Sequence, residues 1–148
     1  MVKLDATDNQ LIELLLRDAR QSSQVLGKQL NLSSATVRRR LRELIKTGVV
    51  RIVAAVDPTK AGLPMCAIVA IDVVYAKLDS VMRELASRPE IKWLITTTGR
   101  FDILALTYFA SADEFSYFLQ SELTRIEGVR NSETFVCLHV EKGRYISP

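Results

Sequence analysis

Apolar residues recur at helical spacing three times in the first third of the chain. Leu11, Ile12, Leu15 and Leu16 mark one face of a helix over residues 5–19, with Asp5 or Thr7 placed to cap its start and Asp8 to complement its dipole. Gln21, Ser22 and Ser23 break the pattern and supply a new cap, and residues 24–30 predict a short second helix that can bury Val25, Leu26 and Leu30. Asn31, Leu32 and Ser33 form a tight connector without the glycine often found there. Gly27 lies inside the second helix instead, either for close packing or as a tolerated glycine. The third helix, 34–47, opens on the hydroxyls of Ser33 and Ser34, carries Val37, Leu41, Leu44 and Ile45 as an apolar stripe, and stops at Gly48. The β-branched run 49–56 reads as a strand, and the two prolines and one glycine of residues 57–64 read as a linker.

The pattern then changes period. Residues 65–74 read as a strand covered on both faces, 78–87 as a helix with Leu78, Val81, Met82 and Leu85 inward, and Arg88 and Pro89 as its stop. Strands at 91–98 and 101–109 flank a turn at Gly99 and Arg100, so they predict a hairpin. Ser111 can cap a helix over 112–126 that buries Phe115, Phe118, Leu119, Leu123 and Ile126. Gly128 ends that helix, and a last strand over 129–141 puts Phe135, Cys137 and His139 on one face. The order β-α-β-β-α-β predicts a ferredoxin-like antiparallel sheet with both helices on one side. The class is therefore α+β: a winged helix-turn-helix at 1–56, a linker at 57–64 and a βαββαβ unit at 65–148. The second sheet face still carries apolar side chains, and pairing of two such sheets would cover them.

Charge adds a division of labour. Residues 1–56 hold ten Lys/Arg against five Asp/Glu, a net +5, whereas the remainder holds ten against twelve, a net −2. A basic head on a mildly acidic body points to a polyanion as the partner of the head. Arg38, Arg39, Arg40 and Arg42 lie opposite the apolar stripe of the third helix, where guanidinium groups can meet phosphates and guanine edges in a major groove. A solvated basic face is the plain alternative. At 100° per residue the four cannot all point one way, so at most two reach base edges. Ser33, Ser34 and Thr36 can cap the helix or donate to phosphates, and Arg51 can reach a phosphate from the strand that follows. Cys66 and Cys137 lie in apolar runs and read as buried thiols, and the single histidine, His139, reads as a strand residue. No spacing for a metal or a cofactor is present, and no apolar run is long enough to cross a bilayer, which predicts a cytoplasmic protein.

Several short signatures in order resemble the Lrp/AsnC, or feast/famine, family of transcriptional regulators over essentially the whole length. They run from Leu4-Asp5-Ala6-Thr7-Asp8 and Asp18-Ala19-Arg20 through Leu32-Ser33, Val37, Arg40, Leu41, Arg42, Leu44 and Gly48-Val49-Val50. They continue with Asp57-Pro58, Thr98-Gly99-Arg100-Phe101-Asp102, Gly128-Val129 and Ser132-Glu133-Thr134. The resemblance implies sequence-specific binding of double-stranded DNA by the head. It also implies a C-terminal domain that pairs into homodimers and assembles further into tetramers or octamers. A small effector, usually an amino acid, would bind between C-terminal domains near the hairpin turn. Thr98, Gly99, Arg100, Phe101, Asp102, Ser132 and Thr134 are the residues that resemblance assigns to the effector. The family turn carries an acid where this chain has Arg100, which could then pair with a carboxylate of the effector or of another subunit. Two other functions share the fold class: a tetrapyrrole decarboxylase-like enzyme, disfavoured by the single histidine, and an effector-binding modulator of another regulator, disfavoured by the basic helix.

Overall fold

The computed structural model describes residues 3–143 and divides into two compact units between Val53 and Ala54. In the first, α1 spans Ala6–Arg17, α2 Ser23–Leu30 and α3 Ser34–Lys46. Each helix starts on a side-chain cap. Asp5 accepts from the Asp8 N–H at 2.8 Å while Asp8 accepts from the Asp5 N–H at 3.2 Å, a reciprocal capping box. Ser22 accepts from Val25 N–H and Ser33 from Thr36 N–H. The core of this unit is Leu11, Leu15, Leu26, Val37 and Leu44, with Leu41 packed at its margin. Ile45, expected in the stripe, is 46% exposed.

Asn31 supplies the turn that the missing glycine would have made. It sits at φ 55, ψ 44, a left-handed conformation that asparagine tolerates better than most residues, and its N–H bonds to Gly27 O. Gly27 is there for close approach: a Cβ on it would lie 2.6 Å from the Leu32 carbonyl oxygen.

The strand predicted over 49–56 does not form. The segment is irregular with one isolated bridge at Val56, and Ile52, Val53 and Val56 are exposed. β-branched residues favour extended backbone, but a strand also needs a neighbour to bond to, and the described residues offer this run none beyond that bridge.

In the second unit, β1 (Met65–Val73), β2 (Ile91–Thr96), β3 (Ile103–Phe109) and β4 (Val129–Val136) form an antiparallel sheet in the order β2-β3-β1-β4. This is the predicted ferredoxin-like topology. Helix α4 (Leu78–Ala86) and α5 (Ala112–Tyr117) cover one face. Their core partners are Ala67, Val69, Ile71 and Val73 of β1 with Val81, Leu85, Phe115, Phe118 and Leu123. Phe109 packs between Phe115 and Phe118, with ring centroids 5.2 and 5.3 Å away. The second helix is not one α-helix to residue 126: it turns π-helical over Phe118–Glu122 and 3-10 over Leu123–Arg125. Arg88 anchors this irregular stretch, bonding Glu122 at 2.7 Å and approaching Glu84 and Glu90 at 3.8 and 4.0 Å.

The last strand ends at Val136, five residues short of expectation. Cys137 still donates its N–H to Cys66 O at 2.9 Å and is half-buried, but His139 lies beyond the strand, exposed and 2.9 Å from Glu141. On the other sheet face the register places Ile68, Leu104, Leu106, Trp93 and Phe135 together, with Trp93 46% and Phe135 49% exposed.

Burial gives this unit an alkaline sensitivity. Desolvation pushes the Cys66 thiol from 9.0 up to about 11 and the Tyr108 phenol from 10.0 up to about 12. Both folded values lie above the unfolded ones, so the unfolded chain releases these protons first. The stability they contribute is intact below pH 9.0 and drains away as pH rises towards about 11 and then about 12. A fall in melting temperature is expected over that window, and Cys66→Ala is expected to flatten its first part.

Candidate functional site

Two places in the chain hold the residues singled out from sequence. The first is the exposed face of α3. Arg38 and Arg42 stand one turn apart, both exposed, and neither bonds another described side chain. Arg39 is also exposed and lines a cleft with Lys3, Asp8 and Glu43. Lys28 and Lys46, exposed at the ends of α2 and α3, extend the basic surface and were not picked out from the sequence. Ser33 spends its hydroxyl on the cap and on Thr36 Oγ1 at 2.9 Å, while Ser34 lines a groove with Gln24, Lys28 and Asn31. Arg51 lines a different groove, beside Ile12, Leu15 and Leu16 of α1 and Ala19 just after it.

Arg40 departs from its expected place among the nucleic-acid contacts. Its guanidinium turns back across the bundle to α1, where Nη1 meets Asp5 Oδ2 at 2.7 Å and Asp8 Oδ1 at 2.8 Å. Its side chain is only 22% exposed. These carboxylates raise the pKa of Arg40 further above its ordinary value, and Asp5 is held below its own by the Asp8 N–H and by Arg40. The same two acids therefore cap α1 and clamp α3 to it. A charge so neutralised has little left for a phosphate.

The second place is the hairpin end of the sheet. Thr97 N–H bonds Asp102 O at 2.8 Å across the turn, and Gly99 takes φ 117, a conformation that disfavours any side chain. Asp102 is fixed from both ends: its N–H donates to Ile71 O at 3.0 Å, and its Oδ2 accepts from Val73 N–H at 2.9 Å. The β1–β4 register shifts between Asp72 and Val73, so this carboxylate satisfies a backbone donor at an irregular point of the ladder. Arg100 finds its carboxylate inside the chain, Glu133 at 3.3 Å, with its guanidinium carbon 5.0 Å from the centre of the Phe101 ring. Beside them Arg130 pairs with Asp72 at 2.7 Å.

The seven residues do not all gather on one face. Thr98, Gly99, Arg100, Phe101 and Asp102 share the turn, and Arg100 reaches Glu133. Ser132 and Thr134 stand opposite Ile71 and Val69, whose side chains face the helices, and so they point the other way from Glu133. The pairs Arg100–Glu133 and Arg130–Asp72 were missed from sequence because alternation along β4 shows which residues share a face and not which groups they meet.

Comparison with known proteins identifies both units. Residues 4–51 match a winged helix-turn-helix DNA-binding domain, and residues 66–146 match the Lrp/AsnC ligand binding domain. An uncharacterised HTH-type transcriptional regulator of Pyrococcus abyssi is 36% identical over 145 residues, covering 97% of this chain and 92% of its own. The HTH-type transcriptional regulator FL11 of Pyrococcus horikoshii is 30% identical over 142 residues, 95% of this chain and 93% of its own. Among solved structures, a transcriptional regulator of Neisseria meningitidis in complex with L-Met superposes with a TM-score of 0.87 at 26% identity, over 95% of this chain and 94% of that one. AsnC of E. coli shares the fold, with a TM-score of 0.88 at 22% identity over 95% of both chains. With both its units matched in order and relatives aligned along nearly its whole length, the chain belongs to the Lrp/AsnC family of HTH-type transcriptional regulators.

Proposed function

We propose that this cytoplasmic, non-enzymatic regulator reads duplex DNA as a homodimer, with α3 of each copy in the major groove, and that an amino acid bound between second units alters its assembly. The observation that carries the reading is the unpaired arginine face of α3. Arg38, Arg42 and their neighbour Arg39 are exposed, whereas Arg40 is spent within the bundle. An arginine fork without a protein partner is suited to guanine edges and phosphates, and the Ser33–Ser34 end of the helix adds backbone donors for a phosphate. Residues 1–56 form the reading head in this account and residues 65–148 the effector and pairing unit.

Pairing follows from the uncovered sheet face. Trp93 and Phe135 stand about half in water beside Ile68, Leu104 and Leu106, and a second copy of the same face would cover them. Tetramers and octamers extend the same scheme. The L-Met complex of the Neisseria relative supports an amino acid as effector here, with the turn 98–102 and its Arg100–Glu133 pair as the nearest groups. Two heads on one dimer would engage half-sites about one helical turn apart, or multiples of it.

A mobility shift with DNA from upstream of the chain's own gene, over a salt series, tests the head. Light scattering with and without a panel of amino acids that includes L-methionine tests the rest. Binding at low salt with a steep salt slope, and a dimer or larger species whose size responds to an amino acid, are the expected results. A monomer with no affinity for duplex would end this account.

A further inference from the structure

We propose a second small-molecule site in the second unit, at the end of the sheet away from the hairpin, that takes a zwitterionic amino acid with a large apolar side chain. A cavity of about 630 Å³ opens there between the start of β2, the end of β3 and α5. That is within the range of small-ligand pockets. Its floor is aromatic: Phe109 and Phe118 are 6% and 2% exposed, and Tyr117 stands at the rim, 59% exposed.

The charges of the lining point to the class of ligand. Four carboxylates and one ammonium line it, but three of the carboxylates are committed. Glu122 and Glu90 face Arg88 at 2.7 and 4.0 Å, and Glu114 accepts from the Ala110 N–H at 3.1 Å. Asp113 on α5 and Lys92 on β2 remain. Neither has an ion-pair or side-chain partner among the described residues, and they do not pair with each other across the opening. One free anion and one free cation flanking an aromatic floor match a molecule bearing an ammonium and a carboxylate on the same carbon, with an apolar group attached. A simple amine or a simple acid would satisfy only one wall. The back of the cavity is the π-helical turn Phe118–Glu122, held by Arg88, so the floor is fixed by packing and an ion-pair network. Irregular turns of this kind are common beside ligand sites.

The inference rests on the effector reading for the class of ligand and differs from it in location. The test is a two-dimensional NMR titration of the full chain with L-phenylalanine, L-leucine and L-methionine, with phenethylamine and 3-phenylpropionate as single-charge controls. Shifts at residues 89–92 and 108–122 are expected, separate from any at the turn 98–102. Affinity read from the shifts at 89–92 and 108–122 should fall at least about tenfold in Asp113→Asn and in Lys92→Gln, and be weaker by a similar factor for both controls. Tyr117→Ala, which keeps both charges, should also weaken binding. Shifts at 97–102 with none at 89–92 or 108–122 would overturn this site and leave the effector reading standing. Equal binding of phenethylamine would overturn the charge match, and no binding by any of the three amino acids would overturn both. Duplex binding, measured separately, is untouched by any of these outcomes.

Discussion

Replacing Arg38 and Arg42 together with alanine is expected to weaken duplex binding about a hundredfold at fixed salt, with the melting temperature unchanged within about 2 °C. The two side chains are exposed, one turn apart, and bonded to no described side chain, so their removal costs the fold almost nothing. Each lost phosphate contact also lowers the slope of log affinity against log salt by about one, whereas a lost guanine contact relaxes base preference and leaves affinity for other sequences nearly intact. A salt series on each single variant tells the two apart. Arg40→Ala is expected to do the reverse. It strands Asp5 and Asp8, which sit 2.7 and 2.8 Å from its Nη1, and lowers the melting temperature of the head by several degrees, on the order of 5 °C. Duplex affinity of the folded fraction should change far less. If Arg40→Ala abolished binding at full thermal stability while Arg38→Ala and Arg42→Ala bound normally, the assignment of α3's faces would be wrong.

Gly27→Ala is expected to destabilise the head although alanine is the better helix former. Propensity alone favours alanine by about 1 kcal/mol inside a helix. Against this, the added Cβ would stand 2.6 Å from the Leu32 carbonyl oxygen and 3.5 Å from Ser34 N. The obstacle is backbone, not the end of a flexible side chain. It is pinned by the Leu32 N–H bond to Gly27 O at 2.8 Å and by the left-handed Asn31. Overpacking of this kind costs about 1–3 kcal/mol, which exceeds the propensity gain. The first groups to move would be Leu32, Ser33 and Ser34, the entry to α3, so duplex affinity should fall together with thermal stability. Lys28→Ala, one position along on the exposed side, is the control and should leave stability within about 0.5 kcal/mol. A head that melts higher with Gly27→Ala would refute the close-approach argument.

Local signals were legible and distant ones were not. The 3.6-residue period and the caps at Asp5, Ser22, Ser33 and Ser111 placed the starts of α1, α2, α3 and α5 within a residue or two, because a cap acts on the N–H groups three residues ahead. Alternation and the Gly99 turn gave the strand order. What escaped depended on partners far along the chain. Arg40 meets acids 35 and 32 residues earlier, which no spacing within α3 discloses. Asp102 reads as a turn carboxylate until Val73, 29 residues back, is seen to need an acceptor. The run 49–56 has strand composition without a ladder. The helix after Ser111 has apolar residues at α-helical intervals and still widens to a π turn from Phe118, just after Phe115, and both rings close on Phe109.

The uncovered sheet face has a practical corollary. The chain has a single tryptophan, and it is Trp93, standing on that face about half in water. Its indole emission colour follows the polarity around that one spot, free of interference from a second indole. The molecule thus carries a native optical gauge of whether its apolar sheet is wet or dry, readable at nanomolar dilution without a label.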